Sequence, residues 1–170
     1  LFGKFQGDNF LLVYAAMKEL GIDKKTIKNG LLNVKWPGRF EIFIRNPLVI
    51  LDGAHNEDSS LKLVENLKSI SNKEDVCFLT SILEDKDIGK ILKNFSSVAD
   101  KIVYTSLKDY HRGLGAKEMY DRDIYFDNRK YYENMVEAYN EAKKSKIVVV
   151  AGSFYLLCEF RRVIESENRL

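Results

Sequence analysis

The sequence predicts an α/β fold: a three-layer α/β/α sandwich, Rossmann-like, whose sheet is mostly parallel with one antiparallel edge strand. Three observations predict it. Short apolar runs alternate with segments of helical periodicity along most of the 170 residues. Most of these runs are separated by stretches long enough to hold a helix, as parallel neighbours require, and right-handed crossovers then cover both faces of the sheet. The exception is FEIFI (residues 40–44), joined to LVIL (48–51) by little more than Asn46-Pro47, which makes that pair antiparallel.

Taken in order, NFLLVYAAMKEL (9–20) reads as a helix with Asn9 at its N-cap and Gly21 as its stop. A second helix spans 24–33, with Ile27, Leu31 and Leu32 as a small apolar stripe. Trp36-Pro37-Gly38-Arg39 interrupts regular structure. The alternating 40–44 strand follows, then the all-apolar 48–51 strand, of the kind buried on both faces. A helix over 57–70 carries Leu61, Val64, Leu67 and Ile70 at helical spacing. Next come a strand (76–81), a helix (87–95), a strand (101–106), a polar loop (107–115) and a short helix (116–121). A strand over 123–126, a long helix over 129–143, the apolar strand 146–151 and a helix over 154–165 complete the chain. A self-contained domain is expected to occupy residues 36–170, leaving 1–35 as a helical segment of something else.

Composition excludes several function classes. Apolar residues make up 45% and charged residues 31%, a globular balance. Twenty-seven basic against twenty-five acidic residues leave a net charge of +2, too near neutral and too evenly mixed for nucleic acid or a membrane surface. No apolar stretch approaches the roughly 18 residues of a membrane helix, and no signal-peptide pattern opens the chain. Cys77 and Cys158 lie in apolar runs and not in CxxC pairs, as reduced core thiols of a cytosolic protein would. The chain starts at Leu1 and not Met, as if taken from a longer polypeptide.

In open sheets of this type, ligands gather beyond the carboxyl ends of the strands. That rule points to residues 52–56, 81–87, 106–115 and 152–153. No phosphate loop is present: Gly3-Lys4 and Gly89-Lys90 lack the upstream glycine and the following hydroxyl, and Gly113-Leu114-Gly115 does not directly follow a strand. There is no GxSxG elbow, and His55 and His111 have no metal-ligand spacing. The chain alone therefore holds no complete catalytic apparatus.

Two segments carry chemistry. In LDGAHN (51–56) a buried strand ends at Asp52, Gly53 allows a sharp turn, and His55 and Asn56 open a helix. Asp52 tying down the turn is the structural alternative. A ligand role is preferred because His55 has no packing role among Ala54, Asn56 and Glu57. Glu57 and Asp58 suit the helix dipole but make the turn a poor seat for bare phosphate, favouring a ligand that meets Asp52 through hydroxyls or a metal-linked group and His55 through a hydrogen bond. In WPGRFE (36–41) Arg39 leaves a Pro-Gly turn, free either to clamp phosphate or carboxylate across a cleft or to pair with Glu41 or another surface acid.

Taken together, the segments 3–9 (GKFQGDN), WPGRFE, LDGAHN, Glu84-Asp85-Lys86-Asp87 and Ala151-Gly152-Ser153-Phe154-Tyr155 occur in the order seen in a known family. The chain resembles the C-terminal part of folylpolyglutamate synthases and dihydrofolate synthases, of the Mur ligase superfamily. The resemblance implies an ATP-dependent ligase that makes an acyl phosphate of a folate or dihydropteroate and then joins L-glutamate to it. Residues 1–35 would end the central ATPase domain, and 36–170 would be the C-terminal domain. By this likeness Asn9 contacts adenine, Arg39 reaches the ATP phosphates, Asp52 lies at the ribose and His55 beside it. Ser153 corresponds to the place where related ligases bind the incoming amino acid, and Arg112, in the 106–115 loop, either binds the carboxylate of that glutamate or forms a salt bridge within the loop. Magnesium would be held in the part of the ligase that carries the phosphate loop. The enzyme is expected to be cytoplasmic, monomeric at full length, and inactive as this fragment. The sequence departs from the family at Phe5, where a histidine is usual, and at His111-Arg112, where proline-arginine is common. Two further readings stand beside it: a Mur-type ligase acting on a muramyl precursor, and a nucleotide- or amino-acid-binding module without catalysis.

Overall fold

The structure, a computed structural model, describes residues 4–107 and 112–167. Two helices lead, α1 (Lys4–Glu19) and α2 (Lys24–Asn33). The hairpin β1 (Glu41–Arg45) and β2 (Leu48–Leu51) follows, then α3 (Glu57–Lys68), β3 (Val76–Thr80), α4 (Ile88–Ser96) and β4 (Lys101–Thr105). The chain continues through α5 (Ala116–Arg122), β5 (Asn128–Tyr132), α6 (Met135–Ala142), β6 (Ile147–Ala151) and α7 (Phe154–Glu167).

One six-stranded sheet has the order β1-β2-β6-β3-β4-β5. β1 is antiparallel to β2 and sits at the edge; every other pair is parallel. The predicted sandwich with its antiparallel edge strand is therefore what forms. LVIL and IVVVA are continuous apolar runs because β2 and β6 lie inside the sheet and are covered on both faces. One face packs Ile50, Phe78 and Val149 against Leu63 and Leu67 of α3 and Phe95 of α4, with the Phe78 and Phe95 rings stacked at 4.0 Å. The other packs Leu51, Leu79 and Val150 against Tyr139 of α6 and Phe160 of α7. Each such side chain removed from water contributes about 1.5–3 kcal/mol.

Several local expectations are corrected. α1 begins at Lys4, so Asn9 is inside the helix and not at its N-cap. The buried face of α3 runs through Ser60, Leu63, Val64, Asn66 and Leu67, whereas Leu61 and Ile70 are exposed. Residues 123–126 are not a strand. Asp123 ends α5, and its Oδ1 accepts the amides of Tyr125 and Phe126 at 2.8 and 3.3 Å, turning the chain. The fifth strand is instead NRKYY, whose charged residues suit a sheet edge exposed to water. The following helix is correspondingly shorter, starting after Asn134, whose Oδ1 accepts the amides of Val136 and Glu137. Tyr131 and Tyr132 thus belong to β5 and not to that helix. Cys77 is a buried core thiol, pushed up to about 12 by burial, but Cys158 is exposed on α7. No helix among the described residues is long and apolar enough to cross a membrane.

Candidate functional site

The site is built on two turns laced together. Trp36-Pro37-Gly38-Arg39 enters β1, and Asp52-Gly53-Ala54-His55 leaves β2, so the antiparallel pairing of β1 with β2 brings them side by side. Gly53 donates its amide to the Gly38 carbonyl at 2.8 Å. The buried Asp52 carboxylate completes the lacing: Oδ2 accepts the amide of Phe40 at 2.8 Å and Oδ1 that of Ala54 at 2.9 Å. Burial pushes the Asp52 carboxyl above its ordinary value, and the two amides and the Arg39 charge partly offset this. Phe40 sits in the left-handed region at φ 46°, an uncommon conformation for a bulky residue, and its amide is one of those held by Asp52.

The aspartate's structural role and its place in a cleft coexist. A cleft of about 780 Å³ opens beside the turns, and Asn9, Arg39, Asp52 and His55 all line it. Its apolar wall comes from Phe10 and Val13 of α1, Leu31 of α2, Val34 and Trp36. Its polar wall includes Asn56, Asp58, Ser59, Lys62 and Asn66 from the start and face of α3. One apolar wall facing a few convergent polar groups is the usual form of a small-molecule site.

Arg39 does not pair with Glu41. The Glu41 carboxylate accepts Arg161 Nη2 at 2.8 and 2.7 Å, and its Oε2 also accepts the Gly38 amide at 2.8 Å. Among the described residues Arg39 forms no ion pair, and its guanidinium lies over the Phe154 ring, 5.1 Å from the centroid. Such a contact contributes about 0.5–1 kcal/mol and leaves the N–H donors available. His55 does have a packing partner: its ring lies 6.1 Å from that of Phe154. Its Nδ1 is 2.8 Å from the Gly53 carbonyl, which only accepts, so Nδ1 carries the hydrogen and a neutral imidazole presents Nε2 as an acceptor. Asn56 is the N-cap of α3, in a capping box with Ser59.

Ser153 and Arg112 are not among the residues lining this cleft. Ser153 is buried, and its Oγ accepts the amide of Leu156 at 3.1 Å, capping α7. Arg112 pairs with Asp85 at 3.1 Å, the loop salt bridge that its setting also allowed. Asp87 caps α4 through the amide of Lys90. His111, and the side chain of Phe5, lie outside the described residues.

Two contributors were missed. Phe154 appears in the motif Ala151–Tyr155 but nothing in its spacing shows that it underlies both turns. Asn66 is buried at the cleft wall, and its position three residues after Leu63 is the signal that could have found it. As for a metal, no group of three or more His, Cys, Asp or Glu among the described residues could hold one. In the cleft, both Asp52 oxygens hold amides and Asp58 pairs with Lys62 at 2.7 Å. These residues do not fit a divalent ion.

A family profile described as the glutamate ligase domain of Mur ligases matches residues 38–154. The chain belongs to the Mur ligase family. It is 31% identical to a dihydrofolate synthase/folylpolyglutamate synthase of Bacillus subtilis, over 95% of this chain and 40% of the relative. The Escherichia coli enzyme of the same name is 28% identical over 94% of this chain and 38% of its own length. Among solved Mur ligase structures, a folylpolyglutamate synthase of Mycobacterium tuberculosis complexed with ADP and AMPPCP superposes with a TM-score of 0.87 at 25% identity, covering 96% of this chain and 40% of that one. Escherichia coli FolC in complex with DHPP and ADP gives 0.82 at 27% identity, over 94% and 39%. The chain thus spans about 40% of the length of the ligases it matches.

Proposed function

We propose that this chain is the C-terminal part of an ATP-dependent ligase that joins L-glutamate to folate or dihydropteroate. Residues 1–35 end the central ATP-binding domain of that enzyme, and 36–170 form its glutamate ligase domain. The observation that carries this reading is the gathering of Asn9, Arg39, Asp52 and His55 on one cleft, although they come from three separate stretches of sequence. Exposed Leu11 and Leu12 on α1, Leu20 in the turn after it and Leu32 on α2 support the domain assignment, since such side chains pack against further protein in a completed domain.

In the reaction, a carboxylate oxygen of the acceptor takes the γ-phosphoryl group of ATP, giving ADP and an acyl phosphate. The glutamate amine attacks the acyl carbon, a proton leaves the nitrogen, and inorganic phosphate departs as the amide forms. Arg39 supplies charge to the phosphates with unshared N–H donors, in the manner of an arginine finger. Asp52, whose oxygens keep lone pairs beyond those given to Phe40 and Ala54, accepts a ribose hydroxyl, and His55 Nε2 accepts beside it. Asn9 offers its amide to the adenine edge, with Phe10 and Trp36 giving apolar surface to the ring. Ser153 and Arg112 belong to the glutamate side. The divalent ion of the nucleotide is held by other parts of the ligase. The enzyme is a cytoplasmic monomer.

The test is direct. The full-length protein, given ATP, magnesium, glutamate and either dihydropteroate or a reduced folate, should release ADP in step with a glutamylated product seen by mass spectrometry. Turnover with a muramyl acceptor and none with pteroates or folates would replace the acceptor class. Nucleotide binding without ADP release from any acceptor would replace the ligase with a binding module.

A further inference from the structure

Phe154, the first residue of α7, underlies both turns of the cleft. A Cβ placed on Gly53 would lie 2.3 Å from its Cζ and 2.6 and 2.8 Å from its two Cε atoms, so the ring rests on bare backbone. One placed on Gly38 would meet Cε1 at 3.4 Å. The Arg39 guanidinium lies over this ring at 5.1 Å, and the His55 ring stands at 6.1 Å with its plane inclined by 53°. The acid nearest in sequence to Arg39, Glu41, is engaged by Arg161.

We propose that Phe154 is the positioning residue that stations Arg39 over the nucleotide cleft, a statement that rests on the ligase reading above. A carboxylate partner would fix the guanidinium but neutralise it and occupy its donors. The π face of a ring restrains the guanidinium plane while leaving all five N–H groups for phosphate. Gly53 is part of the same device, because any side chain there would displace the ring. The corner between β6 and α7 is thereby tied to the turns that carry Arg39 and His55, and a shift of α7 would be felt at the phosphate end of the cleft.

The experiment is a double-mutant cycle in the full-length enzyme. Phe154→Leu, which keeps apolar bulk and loses the π face, should lower kcat/KM for ATP roughly three- to tenfold. Phe154→Tyr should stay within about twofold, since it keeps the face. In an Arg39→Ala background, Phe154→Leu should cost nothing further. Full additivity of the two losses, or equal losses for Phe154→Leu and Phe154→Tyr, would overturn the proposal. An Arg39→Ala enzyme with normal kcat/KM would remove the phosphate role of Arg39 and the proposal with it, whereas a protein that makes no ADP at all marks failure of the ligase reading. Should Phe154→Leu fail to fold, Gly53→Ala displaces the same ring from the other side. Its loss should also vanish in the Arg39→Ala background, and persistence there would be fatal.

Discussion

Asp52 Oδ2 accepts the amide of Phe40 at 2.8 Å, across twelve residues of sequence. That bond holds a bulky residue at φ 46° directly after Arg39. The same carboxylate anchors Ala54 just ahead of His55. A single buried acid thus fixes the two turns that carry the guanidinium and the imidazole, and its burial cost is set against two backbone hydrogen bonds.

Replacing Asp52 should therefore damage stability as well as activity. Asp52→Ala leaves the amides of Phe40 and Ala54 buried without partners, each worth about 1–3 kcal/mol. A net loss of about 2–4 kcal/mol is expected in urea denaturation, softened because the cost of burying a carboxylate also disappears. Asp52→Asn keeps one acceptor and should lose about half as much. A variant as stable as the parent would show that the lacing is not what holds the turns.

Arg39 separates the other way, because no ion pair within the described residues depends on it. In the proposed full-length ligase, Arg39→Ala should reduce turnover by about 10³ or more, the scale of a lost arginine finger. Unfolding free energy should change by less than about 1 kcal/mol. Arg39→Lys should recover only part of the rate, since an ammonium restores charge without the planar fork. Steady-state turnover read beside thermal unfolding checks both halves.

His55 presents Nε2 because Nδ1 is committed to the Gly53 carbonyl at 2.8 Å. In the proposed full-length ligase, His55→Ala should raise KM for ATP about five- to tenfold, as expected for one lost hydrogen bond, and leave KM for the pteroate or folate within about twofold. Separate titrations of the two substrates check it, and the opposite pattern would move His55 away from the nucleotide.

The sequence made the sheet legible where burial is continuous. LVIL and IVVVA are apolar throughout because both faces are covered, and the short Asn46-Pro47 link forces β1 antiparallel. It misled where local polarity and fold position disagree. NRKYY resembles the opening of a helix because an edge strand carries charge for its own reasons, while DIYF looks like a strand although Asp123 folds it into a turn. Asn9, Arg39, Asp52 and His55 were visible as motif residues, and their convergence follows from β1–β2 pairing and the placement of α1. The role of Phe154 was not visible. Its contacts join residues more than ninety positions apart in the chain, and no periodicity encodes them.

Far from the cleft, Glu141 predicts how stability depends on pH. Its buried carboxylate meets Lys101 at 2.9 Å, Lys144 at 2.7 Å and Lys130 at 3.0 Å. Hydrogen bonds from Lys144 and Lys101, with that from Lys130, hold its carboxyl far below the ordinary 4.5. A carboxyl depressed by folding stabilises the native state fully above its unfolded value, and that stability drains away as pH falls towards the folded value. The urea midpoint of the parent protein should therefore fall steeply below about pH 4.5. Glu141→Gln should cost about 2–3 kcal/mol at pH 7, because Lys101 is left largely buried without its counter-charge. The variant's midpoint should then change less between pH 5 and pH 3, about the range in which the carboxyl of the parent takes up its proton in the unfolded chain but not yet in the folded one. Parallel acid limbs in the two proteins would show that other carboxylates govern acid unfolding and that the lysine cluster does not.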